Sequence, residues 1–92
     1  GEDLWFRLNV VRLQLPPLRE RRGDIALLAH FFLKKYNERY SLDAALTTSG
    51  QQLLSEQSWP GNVRQLQHLM ERLVILAPAG RIDAAAVRTA LA

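Results

Sequence analysis

A proline–glycine turn followed directly by an amphipathic helix is the feature that most constrains how this chain can fold. Pro60 and Gly61 interrupt a preceding helix, because proline lacks an amide donor and glycine tolerates a positive φ angle. Asn62 then predicts an N-cap, and Gln65 completes a variant of the capping box. The helix is predicted to reach Leu76. Its predicted apolar face consists of Val63, Leu66, Leu69 or Met70, Leu73 and Leu76, and the residues predicted to lie away from that face are Arg64, Gln67, His68 and Glu71.

Arg64 occupies an unusual position for a cation. It lies in the first turn of this helix, where the helix dipole disfavours a positive charge by a few tenths up to about 1 kcal/mol. The free N–H groups of a helix N-terminus also bind anions. The position therefore predicts an anion, such as a phosphate, beside Arg64. The alternative is a solvated surface arginine paired through water with His68 or Glu71, and spacing alone favours that alternative because helix-surface arginines are common.

Size and composition indicate one small globular domain. The chain has 92 residues, of which 48% are hydrophobic, and this is enough for a single modest core. The net charge of +3 permits a nucleotide or nucleic-acid partner without requiring one. Absence of cysteine excludes disulfides and thiolate metal sites, and His30 and His68 lack a metal-ligand spacing. No apolar run is long enough to span a membrane and no signal peptide is visible, so we expect a cytoplasmic protein.

The first fifteen residues differ in pattern from the rest of the chain. Glu2–Leu8 predicts a short helix, and Val10–Leu15 alternates apolar and polar residues as a half-buried strand does. A lone strand in an otherwise helical chain has no sheet to join. We therefore expect residues 1–15 to be the end of a larger domain, with a linker at residues 16–23.

The remaining residues, 24–92, predict a small bundle of four helices with short connections. The first helix runs from Ile25 to about Tyr40 with Asp24 as its N-cap, and residues 41–46 form a loop. The second is capped by Thr47 or Thr48 and reaches Ser55, the third is the long helix after Asn62, and the fourth is capped by Asp83. The predicted inward-facing residues are Ile25, Leu28, Ala29, Phe32 and Tyr36 on the first helix and Leu53 and Leu54 on the second. The fourth helix contains Ala84, Val87, Ala90 and Leu91, and its alanines favour helix formation.

Catalytic signatures are missing from the sequence. It contains no nucleophile–base pair, no carboxylate pair and no G-x-x-x-x-G-K-[ST] phosphate loop, so the chain alone is not expected to be an enzyme. Two further basic features are the cluster of Arg19, Arg21 and Arg22 and the single Arg7. On charge alone, each is also consistent with ordinary solvated side chains.

Three stretches of the sequence, taken together, resemble a known family. They are E-D-L-W-F-R-L-N-V-V at residues 2–11, L-P-P-L-R-E-R-R-G-D-I at residues 15–25 and W-P-G-N-V-R-Q-L at residues 59–66. In this order and spacing they are similar to the end of the AAA+ ATPase domain of sigma-54-dependent transcription activators, the bacterial enhancer-binding proteins. The resemblance implies a mainly α fold, a four-helix AAA+ lid preceded by a short helix–strand arm from the α/β subdomain. The last ten residues fit such a lid without being diagnostic.

The resemblance also implies roles for individual residues. Arg64 matches the family's sensor II arginine, which reaches the nucleotide phosphates from the lid. Pro17, Leu18 and Arg19 match hinge residues that pass near the adenine. Arg7 matches the second of two arginine fingers that act in trans on a neighbouring subunit's ATP. The first finger would fall at Gly1, which departs from the pattern, as do Gln65 in place of glutamate and Arg12 in place of an apolar residue or proline.

The function implied by the resemblance belongs to a longer parent protein. ATP would be the nucleotide, with Mg²⁺ supplied by the α/β subdomain, and hydrolysis would be coupled to remodelling of sigma-54 RNA polymerase in a bacterial cytoplasm. The partners would be the α/β subdomain, neighbouring protomers of a ring and, through other parts of the parent, sigma-54 RNA polymerase and DNA. The parent is also a candidate two-component response regulator. Two alternatives remain open: a helical DNA-binding module, and a helical interaction or oligomerisation module that associates through the apolar residues near Trp5.

Overall fold

The computed structural model describes residues 22–58 and 62–92, and within these ranges four helices pack around one core. They are α1 (Arg22–Tyr40), α2 (Thr48–Glu56), α3 (Asn62–Leu76) and α4 (Ala84–Leu91). Two short strands, β1 (Ala45–Leu46) and β2 (Arg81–Ile82), and a 3₁₀ turn (Pro78–Gly80) complete the elements. The predicted mainly α bundle is confirmed. The predicted arm at residues 1–15, most of the linker and the turn at residues 59–61 lie outside the described residues.

α1 buries one side from Ile25 to Tyr36. Ile25, Ala29, Phe32 and Tyr36 are buried, and Leu28 packs partly against them, which confirms the predicted inner face. The helix begins at Arg22, so Asp24 lies inside its first turn and the predicted N-cap at Asp24 is wrong. A carboxylate in the first turn still interacts favourably with the helix dipole.

The two helix caps predicted from threonine and aspartate are confirmed. The amide of Gly50 donates to the hydroxyl oxygen of Thr47 at 3.1 Å, and the amide of Ala86 donates to a carboxylate oxygen of Asp83 at 2.9 Å. Each bond satisfies an amide that the first turn of a helix leaves without a partner. These caps fix where α2 and α4 begin.

A parallel pair of two-residue strands joins the beginnings of α2 and α4. Ala45 lies opposite Arg81 and Leu46 opposite Ile82, and the amide of Thr47 continues the pairing by donating to the carbonyl of Ile82 at 3.0 Å. The prediction of a loop across residues 41–46 is therefore wrong at its last two residues. A left-handed turn at Ala79 and Gly80, with φ angles of 52° and 68°, returns the chain from α3 into β2.

α3 supplies much of the core from its middle. Leu66, Leu69, Met70, Leu73 and Val74 are buried. The predicted apolar face is wrong at both ends of the helix, because Val63 is 38% exposed and Leu76 is 71% exposed. The helix is described from Asn62 onward, and the predicted cap by the Asn62 side chain lies outside the described residues. The apolar spacing of α3 therefore continues past the residues that are buried in the core.

The core draws on every helix, and its largest fully buried side chains include Ile25 of α1, Leu54 of α2, Met70 of α3 and Val87 of α4. Leu53, predicted to face inward, is only partly buried, and Leu91 of α4 is 40% exposed. Within residues 22–58 and 62–92, no helix has both the length and the apolar character needed to cross a membrane.

Candidate functional site

Arg64 lies in the first turn of α3 with its side chain exposed to solvent. His68, four residues later and therefore on the same side of the helix, is exposed as well. The two side chains give the outer surface near the start of α3 a basic character. A guanidinium is a donor suited to phosphate oxygens, which is the chemistry that an anion site at this surface would use.

The backbone beneath Arg64 is anchored by its neighbours in the sequence. Leu66, two residues later, is fully buried. Gln67 donates from its amide nitrogen to the hydroxyl oxygen of Tyr36 on α1 at 2.8 Å, and Tyr36 is only 2% exposed. The position of Arg64 is therefore set by the packing of α3 against α1.

A second polar contact joins α1 and α3 one turn further along. The hydroxyl of Tyr40 donates to the carboxylate of Glu71, whose oxygen also lies 3.8 Å from the guanidinium of Arg39. The hydrogen bond to Glu71 raises the pKa of Tyr40. Gln67 and Glu71 thus face α1, and the prediction that they lie away from the packed face is wrong for both.

The direction of the two helices follows from these contacts. Tyr36 meets Gln67 and Tyr40 meets Glu71, so the contacts advance by one turn on both helices together. α1 and α3 therefore run in the same general direction. The chain enters α1 at Arg22, so the prediction of a linker at residues 16–23 is wrong at its last two residues, which belong to the helix.

We define the polar seam as Tyr36, Tyr40, Gln67 and Glu71. Sequence reasoning missed it because each residue, taken alone, is an ordinary helix-surface polar group or a core tyrosine. The available signal was the matched spacing of four residues between the two tyrosines and between their two partners. The spacing becomes informative only once α1 and α3 are known to pack together.

Four of the predicted site residues lie outside the described residues: Arg7, Pro17, Leu18 and Arg19. The structure therefore describes Arg64 alone among the predicted nucleotide contacts. In the described part of the chain, no group of three or more histidine, aspartate or glutamate side chains is arranged to hold a metal ion.

Comparison with known families gives one match over most of the chain. Residues 19–92 match the model of the AAA+ ATPase lid domain. Two solved structures of NtrX from Brucella abortus, in complex with ADP and with ATP, superpose with TM-scores of 0.72 and 0.73. Each is 38% identical to this chain and covers 94% of it, while the chain covers 21% of NtrX.

Curated relatives are bacterial regulatory proteins. The chain is 48% identical over 82 residues to the Nif-specific regulatory protein of Klebsiella pneumoniae, covering 89% of this chain and 16% of that protein. It is 45% identical over 82 residues to a protein of Escherichia coli K12 assigned as the uric acid sigma-54-dependent transcriptional regulator UacR, covering 88% and 14%. It is 43% identical over 88 residues to the transcriptional regulatory protein FlbD of Caulobacter vibrioides, covering 95% and 19%. The chain thus spans less than a fifth of the length of each of these relatives.

Proposed function

This chain belongs to the AAA+ ATPase lid domain family, and on that premise we propose that it closes over ATP held mainly by an α/β subdomain of a longer protein. In this proposal residues 24–92 are the lid, residues 16–23 are the hinge and residues 1–15 are the end of the α/β subdomain. The observation that carries the proposal is the exposed Arg64 on the first turn of a helix whose backbone is anchored to the core.

Arg64 acts in this proposal as the sensor of the terminal phosphate. Its guanidinium donates charge-assisted hydrogen bonds to phosphate oxygens, and such bonds are strong where solvent is excluded. Leu66 and the bond from Gln67 to Tyr36 hold the first turn of α3 in place while this happens. A force on Arg64 is thereby transmitted to α1, and α1 leads directly to the hinge.

The other predicted site residues complete the nucleotide contacts. Pro17, Leu18 and Arg19 lie in the hinge and contact the adenine, and Arg7 acts in trans on the ATP of a neighbouring protomer. Mg²⁺ is held by the α/β subdomain. These assignments rest on the motifs described above, together with the similarity to NtrX, which was solved with ADP and with ATP.

The parent protein, in this proposal, is a sigma-54-dependent transcriptional activator of the bacterial cytoplasm. The similarity to UacR, the Nif-specific regulatory protein and FlbD supports it. Lid movement would couple ATP hydrolysis in a ring of protomers to remodelling of sigma-54 RNA polymerase, and DNA would be bound by a separate domain. The family match over residues 19–92 favours this function over a DNA-binding or oligomerisation module.

The test is nucleotide binding and hydrolysis by a chain extended upstream through the α/β subdomain, with and without Arg64→Ala. We expect Arg64→Ala to lower ATP affinity or hydrolysis by about tenfold or more, since one lost charge-assisted bond in a closed site costs about 1.5–3 kcal/mol. Affinity is measured by calorimetry and hydrolysis by phosphate release.

Arg88→Ala is the matched control, because Arg88 is an exposed arginine of the same bundle on α4. This substitution removes one positive charge without changing a residue of α3, so it should leave ATP affinity and the rate of ATP hydrolysis unchanged. Equal behaviour of Arg64→Ala and wild type would refute the sensor role, and equal losses in both variants would indicate a general effect of net charge.

A further inference from the structure

The first three turns of α1 carry apolar residues on two sides of the helix. Ile25, Ala29 and Phe32 are buried in the core, whereas Leu27 is 72% exposed and Phe31 is 61% exposed. Leu27 and Phe31 are four residues apart, so they are neighbours on the helix surface. Adjoining large apolar side chains left in solvent are typical of an interaction surface.

A lysine continues this exposed side of α1. Lys34 follows Phe31 by three residues and is exposed, and none of the carboxylates that the structure describes forms an ion pair with it. The Phe31 ring is held by an edge-on contact with the buried ring of Phe32, at 5.3 Å between centroids. We define the α1 stripe as Leu27, Phe31 and Lys34.

The charges around Lys34 favour an acidic side chain at that end of the stripe. Lys35 adds a second positive charge, although its ammonium also lies 5.5 Å from the centroid of the Tyr36 ring. Glu38 is exposed one turn further along α1. A carboxylate that follows apolar contacts along the stripe from the start of α1 therefore reaches Lys34 before it reaches Glu38.

The sequence that leads into α1 carries the same pattern in the reverse order. Glu2, Trp5 and Leu8 recur every three residues in the helix predicted at Glu2–Leu8, so they lie on one side of that helix. Antiparallel packing on α1 would match an acid to the lysine, one aromatic ring to another and one leucine to another. The pairs are Glu2 with Lys34, Trp5 with Phe31 and Leu8 with Leu27.

The dimensions of the chain permit this packing. Seven residues of helix are about 10 Å long, and Leu27 and Lys34 are also about 10 Å apart along α1. Leu27 lies about 8 Å beyond Arg22, where α1 begins. Residues 9–21 join the two helices and span up to about 40 Å when extended, which is ample for the chain to turn back.

We propose that the α1 stripe binds the arm at residues 1–15 of the same chain, with the two helices antiparallel. The parallel direction would set Glu2 against Leu27, and a charge against an apolar side chain is disfavoured. In a longer parent the same contact holds the lid against the end of the α/β subdomain. The contact needs neither nucleotide nor Arg64, so it does not rest on the proposed function.

The test measures whether Trp5 is covered in the 92-residue chain. Trp59→Phe leaves Trp5 as the chain's single tryptophan, so acrylamide quenching of the fluorescence reports the exposure of Trp5. We expect Trp5 to be protected, and NMR to show nuclear Overhauser contacts between its indole and the ring of Phe31. Quenching equal to that of the urea-unfolded chain, without such contacts, would overturn the proposal.

Two exposed apolar residues provide matched variants. Leu27→Asp should lower the ratio of docked to undocked arm by about tenfold or more, because it places an unpaired charge in an apolar contact. Ile75→Asp is the control, since Ile75 is 48% exposed on α3, and it should leave the quenching of Trp5 unchanged. If both variants raise quenching equally, or if neither does, the stripe does not bind the arm. Circular dichroism checks that both variants remain folded.

A charge swap tests the direction of the arm. Lys34→Glu should weaken docking roughly two- to fivefold, as loss of an exposed ion pair does. Glu2→Lys added to Lys34→Glu should restore docking, whereas Asp43→Lys, at an exposed carboxylate after α1, should not. If Glu2→Lys restores nothing, the arm does not pack antiparallel on the stripe and the proposal fails.

Dependence on protein concentration distinguishes one chain from two. Docking within one chain protects Trp5 equally at every concentration, and sedimentation then shows a monomer. Protection that appears only as the concentration rises, together with a dimer, would mean that the stripe binds the arm of a second copy. That result would refute the contact within one chain.

Discussion

Tyr40 retains its proton to higher pH than an ordinary tyrosine does. Its hydroxyl donates to Glu71, and this hydrogen bond raises the pKa of Tyr40 above the ordinary value of about 10. Because the folded pKa is the higher one, the contact stabilises the fold fully below pH of about 10. The stabilisation is lost as the pH rises through the raised pKa.

Glu71→Gln should lower the pKa of Tyr40 toward the ordinary value of about 10, since the neutral amide no longer disfavours the phenolate. The measurement is an NMR titration of the Tyr40 ring resonances in both proteins. Glu38→Gln is the control, because Glu38 is an exposed carboxylate on α1, the helix that carries Tyr40. A Tyr40 pKa that is the same in the Glu71→Gln variant and in wild type would contradict the role of this hydrogen bond.

At the scale of elements, α2 approaches β2 so closely that its third residue has to be glycine. A Cβ built on Gly50 would lie 2.3 Å from the carbonyl oxygen of Ile82 and 3.2 Å from a methyl of Leu46. The same carbonyl accepts the amide of Thr47, which caps α2. The close approach therefore joins the strand pair and the start of α2 into one unit.

Gly50→Ala should destabilise the fold by about 1–3 kcal/mol, because the clash is with backbone atoms that cannot move without breaking this pairing. Alanine normally favours a helix over glycine by about 0.5–1 kcal/mol, so the sign is reversed at this position. Gly23→Ala in α1 is the control, since a Cβ there meets nothing within 4 Å, and it should stabilise slightly. Urea unfolding followed by circular dichroism measures both, and a stabilised Gly50→Ala variant would show that the close approach is absent.

Elements were predictable where a local signal fixes them. The inner face of α1 follows from apolar residues that recur every three or four positions between Ile25 and Tyr36. The two caps follow from the side-chain oxygens of Thr47 and Asp83, which accept helix amides. The strand pair was not predictable, because Ala45 and Arg81 are far apart in sequence and two residues carry no period. The exposure of Leu76 was not predictable either, because the apolar spacing along α3 does not show which of its apolar residues other helices cover.

The candidate site was predictable to a different degree. The turn and helix patterns predicted that Arg64 lies in the first turn of α3. Local spacing alone, however, favoured a solvated surface arginine at position 64 over an anion-binding one. The sensor assignment, like those of Arg7, Pro17, Leu18 and Arg19, came from resemblance and remains a proposal. The polar seam depends on the packing of two helices 31 residues apart in sequence, which no local pattern specifies.

At the scale of the whole molecule, the four helices share one core, so a substitution that destabilises one helix should destabilise the whole fold. Leu54 of α2 is fully buried in the same cluster as Tyr36 of α1 and Met70 of α3. Small domains with a single core usually unfold in one cooperative step. The proposed function, in which the lid moves as one unit, relies on this single core.

Leu54→Ala should therefore lower the free energy of unfolding by about 2–5 kcal/mol and keep a single transition. In urea, the circular dichroism of all helices and the NMR signals of Tyr36 on α1 should give the same shifted midpoint, although the substitution is in α2. Leu76→Ala is the control, since an exposed leucine contributes within about 0.5 kcal/mol. If Tyr36 kept its wild-type midpoint while α2 melted early, α1 and α3 would be stable without α2, and Arg64 would be held by the α1–α3 pair alone.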